Sequence, residues 1–502
     1  MRVVSTYRVF SQTSDEGIHI AAGYDLVRNH SWWTDIHHPP LARFFFGLAV
    51  IGLPQPHASD RDTRGNELLF SNDHYIANLA RARAGNLALL LLGIVFVARW
   101  AMRLFSPAVG LVAGALFAML PPILAHGGLA TTDMAVAAMF PFALDETGRL
   151  LEAPTLRRGL MIGFAVALGV LSKYSFFVFY PFAALVLWVV SRRFNRRIVL
   201  CALIGVVVAI IVVWLAFGCS FKPLVAGIED VRKHNSGGHR NFLFEQLSWA
   251  GWWYYFPVAL FFKTPIPFLI LAIAGCALLI RERLEIPLIA IVILLVVMPS
   301  HINIGIRHIL PIYAPLAIAA AAAFARLRTV EEASSSGAPA KAGEKPRPAK
   351  AGAPSDTKKS LIVALFRMGG VLLVLWLFAD GVAAHPDYLP WFNGFAAHPE
   401  TVLNDSNLDW GQDVLRLVRY TREHRIGPIS LLLFTSTDLD RIGFGPHKVI
   451  RQVEPIHGWL AISEMEIAIG KTHSDRVRLW LDSLIGGKPY TRIGKTIRLY
   501  RL

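Results

Sequence analysis

Cysteine is nearly missing from this chain: three in 502 residues, Cys201, Cys219 and Cys276. All three lie in or beside apolar segments, without metal-ligand spacing, so neither a disulfide framework nor a cysteine zinc site is implied. Charge is scarce as well. Asp, Glu, Lys and Arg make up 17% of the residues against 54% hydrophobic ones, and the mean hydropathy is +0.47. That balance excludes an ordinary soluble protein. Lys and Arg outnumber Asp and Glu by 50 to 35, a formal charge of +15. The excess forms no aromatic-interleaved patch of the kind that binds nucleic acid. It gathers at the ends of hydrophobic runs and in one linker, as membrane topology requires.

What the chain does have is hydrophobic runs of bilayer length, roughly 17 to 25 residues each. They fall near 85–105, 107–125, 129–147, 197–217, 263–281, 306–325 and 361–380. The stretch 159–191 is too long for one span and divides around Ser172, Lys173 and Tyr174. A shorter run covers 286–300, which brings the expectation to about ten spans. Every second connection is rich in arginine: Arg99 and Arg103, then Arg149, Arg157 and Arg158, then Arg192, Arg193, Arg196 and Arg197, then Arg281 and Arg283, then Arg326 and Arg328. The positive-inside rule places that set in the cytoplasm. The opposite set, 1–84, 126–132, 218–262, 301–308 and 384–502, is expected on the periplasmic or external side of an inner (plasma) membrane. An external start for 1–84 calls for one more span ahead of residue 1, or for deeper insertion of the short apolar helix after Pro40.

The expected organisation is an external first segment (1–84), a transmembrane core (85–328), a linker (329–360), a last span (361–383) and a tail domain (384–502). The linker is low-complexity Ala, Pro, Gly and Lys, which cannot bury a core and is expected to be disordered. In the tail, residues 412–424 have helical spacing of Val414, Leu415, Leu417 and Val418, and Ile429–Phe434, Trp459–Ser463 and Thr496–Tyr500 have strand patterns. The tail is therefore a small soluble α/β domain. Its segment Asp405–Asp413 (DSNLDWGQD) suits a strand-to-helix turn with an aspartate cap, or a contact with the acceptor or with the membrane domain.

Four features put polar groups where a bilayer protein would avoid them. Asp15 and Glu16, followed by His19 and Tyr24, precede His37, His38, Pro39 and Pro40. The two prolines suit a helix start, and the run Leu41–Leu53 suits an interfacial helix. Asp133 stands at the external entrance of a span, where a carboxylate is costly unless it caps the helix, faces a cavity or has a partner. Lys173, Lys263, Arg307 and His308 bring cations to the side where few are expected. They suit an anion site such as a lipid-linked phosphate, or snorkelling to the interface. The stretch Trp249–Phe262 is an aromatic belt by default, with room for sugar stacking or a grip on a lipid chain.

Asp15–Glu16, HHPPL, TTDM, GVLSKYS, WWYYFPVALFFKTPIP and GIRHILPIYAPLAI, in that order, resemble the protein-mannosyltransferase-like (family 39-like) branch of the C-type glycosyltransferase superfamily. The segments HPDYLPWFNG and DSNLDWGQD resemble a bacterial subgroup with an extra C-terminal domain. The resemblance implies an α-helical polytopic membrane fold. It also implies inverting transfer of a sugar from a polyprenyl phosphate to a protein or glycolipid acceptor on the external face. Carried onto this chain, it makes Asp15 the base for the acceptor hydroxyl, with Glu16 and Asp133 orienting the acceptor or the base. Phosphate leaves without protonation, so charge stabilisation is the remaining need. His37, His38, Lys173, Lys263, Arg307 and His308 are the binding candidates. A divalent metal near the acidic residues is left open by the resemblance. The main competing reading is a polytopic lipid or glycan transporter or flippase, which would gather its ionisable residues near the midplane or in repeated halves. Here they gather at one face.

Overall fold

The computed structural model describes residues 1–329, 355–472 and 474–502. Three helices fill the expected external segment: α1 (Glu16–Arg28), α2 (Pro40–Val50) and α3 (Arg61–Leu69). The core follows as α4 (Tyr75–Leu104), α5 (Pro107–Met119), α6 (Pro121–Gly127), α7 (Asp133–Glu152), α8 (Leu156–Ser172), α9 (Phe176–Ser191) and α10 (Arg196–Ala216). Next come α11 (Lys222–Gly237), a hairpin of β1 (Asn241–Leu243) and β2 (Gln246–Ser248), α12 (Tyr255–Lys263), α13 (Ile266–Leu279), α14 (Glu285–Val297), α15 (Tyr313–Thr329) and α16 (Ser355–Ala383). Most of the linker expected over 329–360 lies outside the described residues; its last part, 355–360, begins α16.

The protein is polytopic, and a helix lies over each expected run, with 107–125 divided between α5 and α6. Among the described residues, α4, α10 and the helical run Ile306–Arg326 are long and apolar enough to cross a membrane unaided. The expected span 107–125 is a bent pair, α5 and α6 turning by 70°, and α13, over the expected span 263–281, is joined at 118° to α12 from the aromatic stretch. Proline causes both breaks. Pro121 and Pro122 open α6, and Pro265 precedes α13, so the residue before each is forced out of helical geometry. The division of 159–191 into α8 and α9 occurs at Lys173, whose backbone is extended. The helix α2 starts at Pro40 and exposes Phe44, Leu48 and Ile51 on one stripe, the pattern of a helix lying in an interface.

Glycine lets the first segment pack closely. A Cβ on Gly47 would stand 2.0 Å from the carbonyl oxygen of Gly23, so α1 and α2 cross backbone to backbone. Gly65 meets Gly17 in the same way, at 2.4 Å, where α3 crosses α1. At the opposite end of the bundle, Arg99 on α4 reaches Asp145 on α7 at 2.7 Å, and Arg103 and Arg149 share the same carboxylate. Some arginines expected from topology thus also join helices.

The tail is an α/β domain, as expected. Its sheet runs β4-β3-β5-β7-β6, with β3 (Ile429–Leu432) parallel to β4 (His447–Val449) and β5 (Trp459–Ser463). The strand β7 (Ile497–Arg501) is antiparallel to β5 and β6 (Thr491–Ile493). Helices α17 (Val414–Glu423), α18 (Glu464–Lys471) and α19 (Asp475–Ile485) accompany it. The helix expected at 412–424 and the strand Trp459–Ser463 are found nearly residue for residue. The short strands β4 and β6 carry too few apolar residues to show in a period-two pattern.

The tail is sewn to the membrane domain at several places, among them the first segment and the break between α12 and α13. Ser11 and Ser14 donate backbone hydrogen bonds to Gln412 and Trp410, at 3.0 and 2.9 Å. Asn393 donates to Phe262 at 2.9 Å, and through its side chain to Thr264 at 3.0 Å, at the break between α12 and α13.

Candidate active site

Asp15 occupies the N-cap position of α1 without making a capping bond. Its carboxylate instead accepts from Arg307 at 2.7 Å, and 29% of the side chain stays exposed. Arg307 is carried by a turn of 3-10 helix (Ile306–Ile312) ahead of α15. Its guanidinium also lies 3.9 Å from Asp133, the first residue of α7, and Asp133 pairs with Lys173 from the break between α8 and α9. Four charges from four parts of the sequence therefore form one chain, Asp15–Arg307–Asp133–Lys173. Three of its members are nearly buried and Asp15 is the open end. Burial works to raise the Asp15 carboxyl. The Arg307 guanidinium, then His19, outweigh that and hold it below the usual carboxylate range.

The tail domain completes this network. The Trp410 ring lies 4.3 Å from the Arg307 guanidinium, a cation–π contact. Ser406 donates to the Ile304 carbonyl at 2.7 Å, and Asn407 accepts from the Ile306 backbone at 2.9 Å, so the DSNLDWGQD segment fixes the backbone leading into Arg307. Contact with the membrane domain is thus what this segment makes. Asp413 does stand at the N-cap of α17, but its carboxylate accepts from Lys495 N and Thr496 Oγ1, each at 3.0 Å, rather than capping the helix. Asp405 adopts a φ of 56°, and burial pushes its carboxyl up to about 6 against the pull of Arg307.

Two residues expected at the site have other tasks. Glu16 is fully buried and does not face the open end with Asp15. It forms a two-pronged pair with Arg83 of α4, at 2.7 and 2.8 Å, and accepts from Thr13 N and Ala130 N at 2.8 Å. Burial opposes the charged form, but Arg83 and the two backbone donors hold the carboxyl below its usual range. Lys263 is buried, and its ammonium donates to the carbonyls of Leu389 and Asn407, both at 2.7 Å, and of Trp391. That use of all three donors corrects the expectation of a phosphate ligand: Lys263 ties α12 to the segment entering the tail.

His37 and His38 diverge although they are adjacent. His37 turns to Asp230 of α11 at 2.9 Å and stays about one-third exposed, while His38 turns inward to Asp35 at 2.9 Å. His308 follows Arg307, and its Nε2 is buried without a hydrogen-bond partner. Sequence reasoning passed over Arg83, Asp35 and Trp410. A cation at the external edge of the first span, where few are expected, was a signal for the first. Asp35, just before HHPP, could have been suspected. Trp410 is singled out in the sequence only as part of the DSNLDWGQD segment.

The acidic residues do not fit a metal among themselves. Asp15, Glu16 and Asp133 each already hold a guanidinium or ammonium partner, which a cation would have to displace.

Comparison with known proteins agrees with the fold. Residues 76–217, from α4 to just past α10, match the family described as dolichyl-phosphate-mannose-protein mannosyltransferase. No curated protein sequence matches the chain. ArnT from Cupriavidus metallidurans in the apo state superposes with a TM-score of 0.54 over 99% of this chain and 95% of its own, at 15% identity. The same protein bound to undecaprenyl phosphate gives 0.52, with the same coverage and identity. The chain thus has the C-type glycosyltransferase fold, and the protein-mannosyltransferase-like resemblance read from its motifs is borne out.

Proposed function

We propose that the protein transfers a sugar from a polyprenyl-phosphate donor to an acceptor hydroxyl, with inversion, on the external (periplasmic) face of the inner membrane. The observation that carries this reading is the Asp15–Arg307–Asp133–Lys173 chain, in which Asp15 alone is accessible. Asp15 takes the proton of the acceptor hydroxyl as its oxygen attacks the anomeric carbon. The bond from that carbon to the phosphate oxygen breaks on the opposite side, and polyprenyl phosphate leaves with the electron pair. Arg307 stabilises the negative charge gathering on the phosphate, and Asp133, itself paired with Lys173, holds Arg307 in place. His37 and His308 are the remaining phosphate ligands.

A place for the lipid supports the same reading. An apolar cavity of about 750 Å³ lies among α8, α9 and α10, lined by residues from Leu151 and Phe194 at one end to Phe221 and Leu224 at the other. It does not touch Asp15 or Arg307. Leu224 of α11, the helix whose Asp230 holds His37, lines its outer end. A prenyl chain in that cavity brings its phosphate to the HHPP loop. The ArnT structure containing undecaprenyl phosphate favours this class of donor.

The test is transfer of radiolabelled sugar by membranes containing the protein, supplied with a panel of polyprenyl-phosphate sugars. Labelled product dependent on the protein is expected. If no donor in the panel gives transfer while the same lipids are moved across the bilayer, the reaction is wrong and the flippase reading takes its place.

A further inference from the structure

Beside the proposed catalytic chain lies a second cluster with different chemistry. His19 from α1, and Asp35 and His38 from the loop before α2, bring one ligand atom each within 4.8 Å of one another. Two of the three edges are shorter still. His38 Nδ1 stands 2.9 Å from Asp35 Oδ2, and His19 Nδ1 stands 3.4 Å from the same oxygen. Ligand atoms in a tetrahedral zinc site lie about 3.3 to 3.5 Å apart, from bond lengths of about 2.0 to 2.1 Å. The cluster therefore needs only a small side-chain adjustment to close on a cation.

His19 gives the independent sign of a ligand. Its side chain is 2% exposed, and neither ring nitrogen has a hydrogen-bond partner. A buried imidazole ordinarily uses at least one nitrogen. Here Nε2 stays unused in a polar cluster, and Nδ1 faces the Asp35 carboxylate at 3.4 Å out of hydrogen-bond alignment.

We propose that His19, Asp35 and His38 bind one divalent transition-metal ion of the zinc class. Two imidazoles and one carboxylate form a ligand set that suits zinc and its neighbours and leaves a coordination position open. The surrounding loop is braced for such a site. Arg43 donates to the carbonyls of Asp35 at 2.5 Å, Pro39 at 3.3 Å and His38, which fixes the backbone on either side of the two loop ligands. The guanidinium of Arg43 is 4.0 Å from Asp35 Oδ2, and that of the more exposed Arg61 is 3.9 Å from Oδ1. Neither takes the direct hydrogen-bonded place on the oxygen facing the two histidines. The backbone N–H of His19 donates to the Asp15 carbonyl at 3.1 Å, so the cluster sits one helical turn from the proposed base. Within the chain of Asp15, Arg307, Asp133 and Lys173 the formal charges cancel. A bound divalent ion adds positive charge beside it, where a phosphate would arrive.

The experiment is elemental analysis of the purified full chain in detergent, stripped with chelator and reloaded with Zn²⁺. It is paired with the visible spectrum of the Co²⁺-loaded protein. About one zinc per chain is expected, with Co²⁺ bands of low-coordinate type. His19→Gln and His38→Gln should each reduce tight binding at least tenfold, while His37→Gln, whose side chain turns to Asp230, keeps it. The variants are compared at equal monodispersity on size exclusion. Sub-stoichiometric zinc in the native chain, or equal zinc in the His19 and His38 variants, would overturn the proposal. So would loss confined to His37→Gln. Metal content is read without any sugar transfer, so its failure is separate from failure of the proposed reaction.

Discussion

Arg307 donates to Asp15 across 292 residues of sequence, at 2.7 Å, and this pair joins the first helix to the turn that opens α15. Asp15 comes from a segment preceding the first long span. Arg307 is held from behind by Trp410 of the tail. The network can form only when the first segment, the membrane core and the tail are all in place, and each prediction below separates one of these contributions.

Asp15→Asn keeps the size of the side chain and removes the base. Loss of a positioned general base costs about 10² to 10⁴ in rate. Transfer should fall by that factor while the variant inserts in the membrane and elutes as the native protein does. Activity within about threefold of native would assign the base elsewhere.

Glu16→Gln should behave differently from its neighbour. It breaks a buried pair and leaves Arg83 with an uncompensated charge, a loss of about 3–5 kcal/mol. Thermal unfolding in detergent should show that loss. Replacing Arg83 as well should cost less than the sum of the two single changes. Additive effects would show that the two side chains are not coupled.

Lys263→Ala should loosen the tail rather than weaken donor binding. The change orphans the carbonyls of Leu389, Trp391 and Asn407, at about 1–3 kcal/mol for each buried unsatisfied group. Limited proteolysis should cut the segment 384–410 faster in the variant. An intact tail with a raised KM for the donor alone would return Lys263 to a substrate role.

Asp409 links the tail to pH. Burial pushes its carboxyl up to about 7, against hydrogen bonds from the backbone of Met465 and Gly411. The folded state therefore holds a proton that the unfolded chain, with an ordinary carboxyl near pH 3.9, has released. Its contribution to stability is full below about pH 4 and is lost as pH rises to about 7. Hydrogen exchange of the β5 amides should show less protection at pH 8 than at pH 5. Asp409→Asn should flatten that difference; an unchanged slope would point to another group.

The sequence by itself determined the polytopic class, the break at Lys173, the interfacial helix after Pro40 and the α/β character of the tail. Each follows from composition and periodicity over short windows, where hydrophobic length and proline act locally. It also brought forward Asp15, Asp133, Lys173 and Arg307, because charge beside a bilayer is costly enough to stand out. Only the tertiary structure decided which charge meets which. Glu16 follows Asp15 directly, yet successive residues at a helix start point in different directions, and one finds Arg83 while the other finds Arg307. Lys263 looked like an anion ligand until three carbonyls from the tail took its protons. His37 and His38 parted in the same way, toward α11 and toward Asp35. Partners separated by tens to hundreds of residues leave no mark in local spacing, and the energy of a buried charge is set by what packing places within a few ångströms of it.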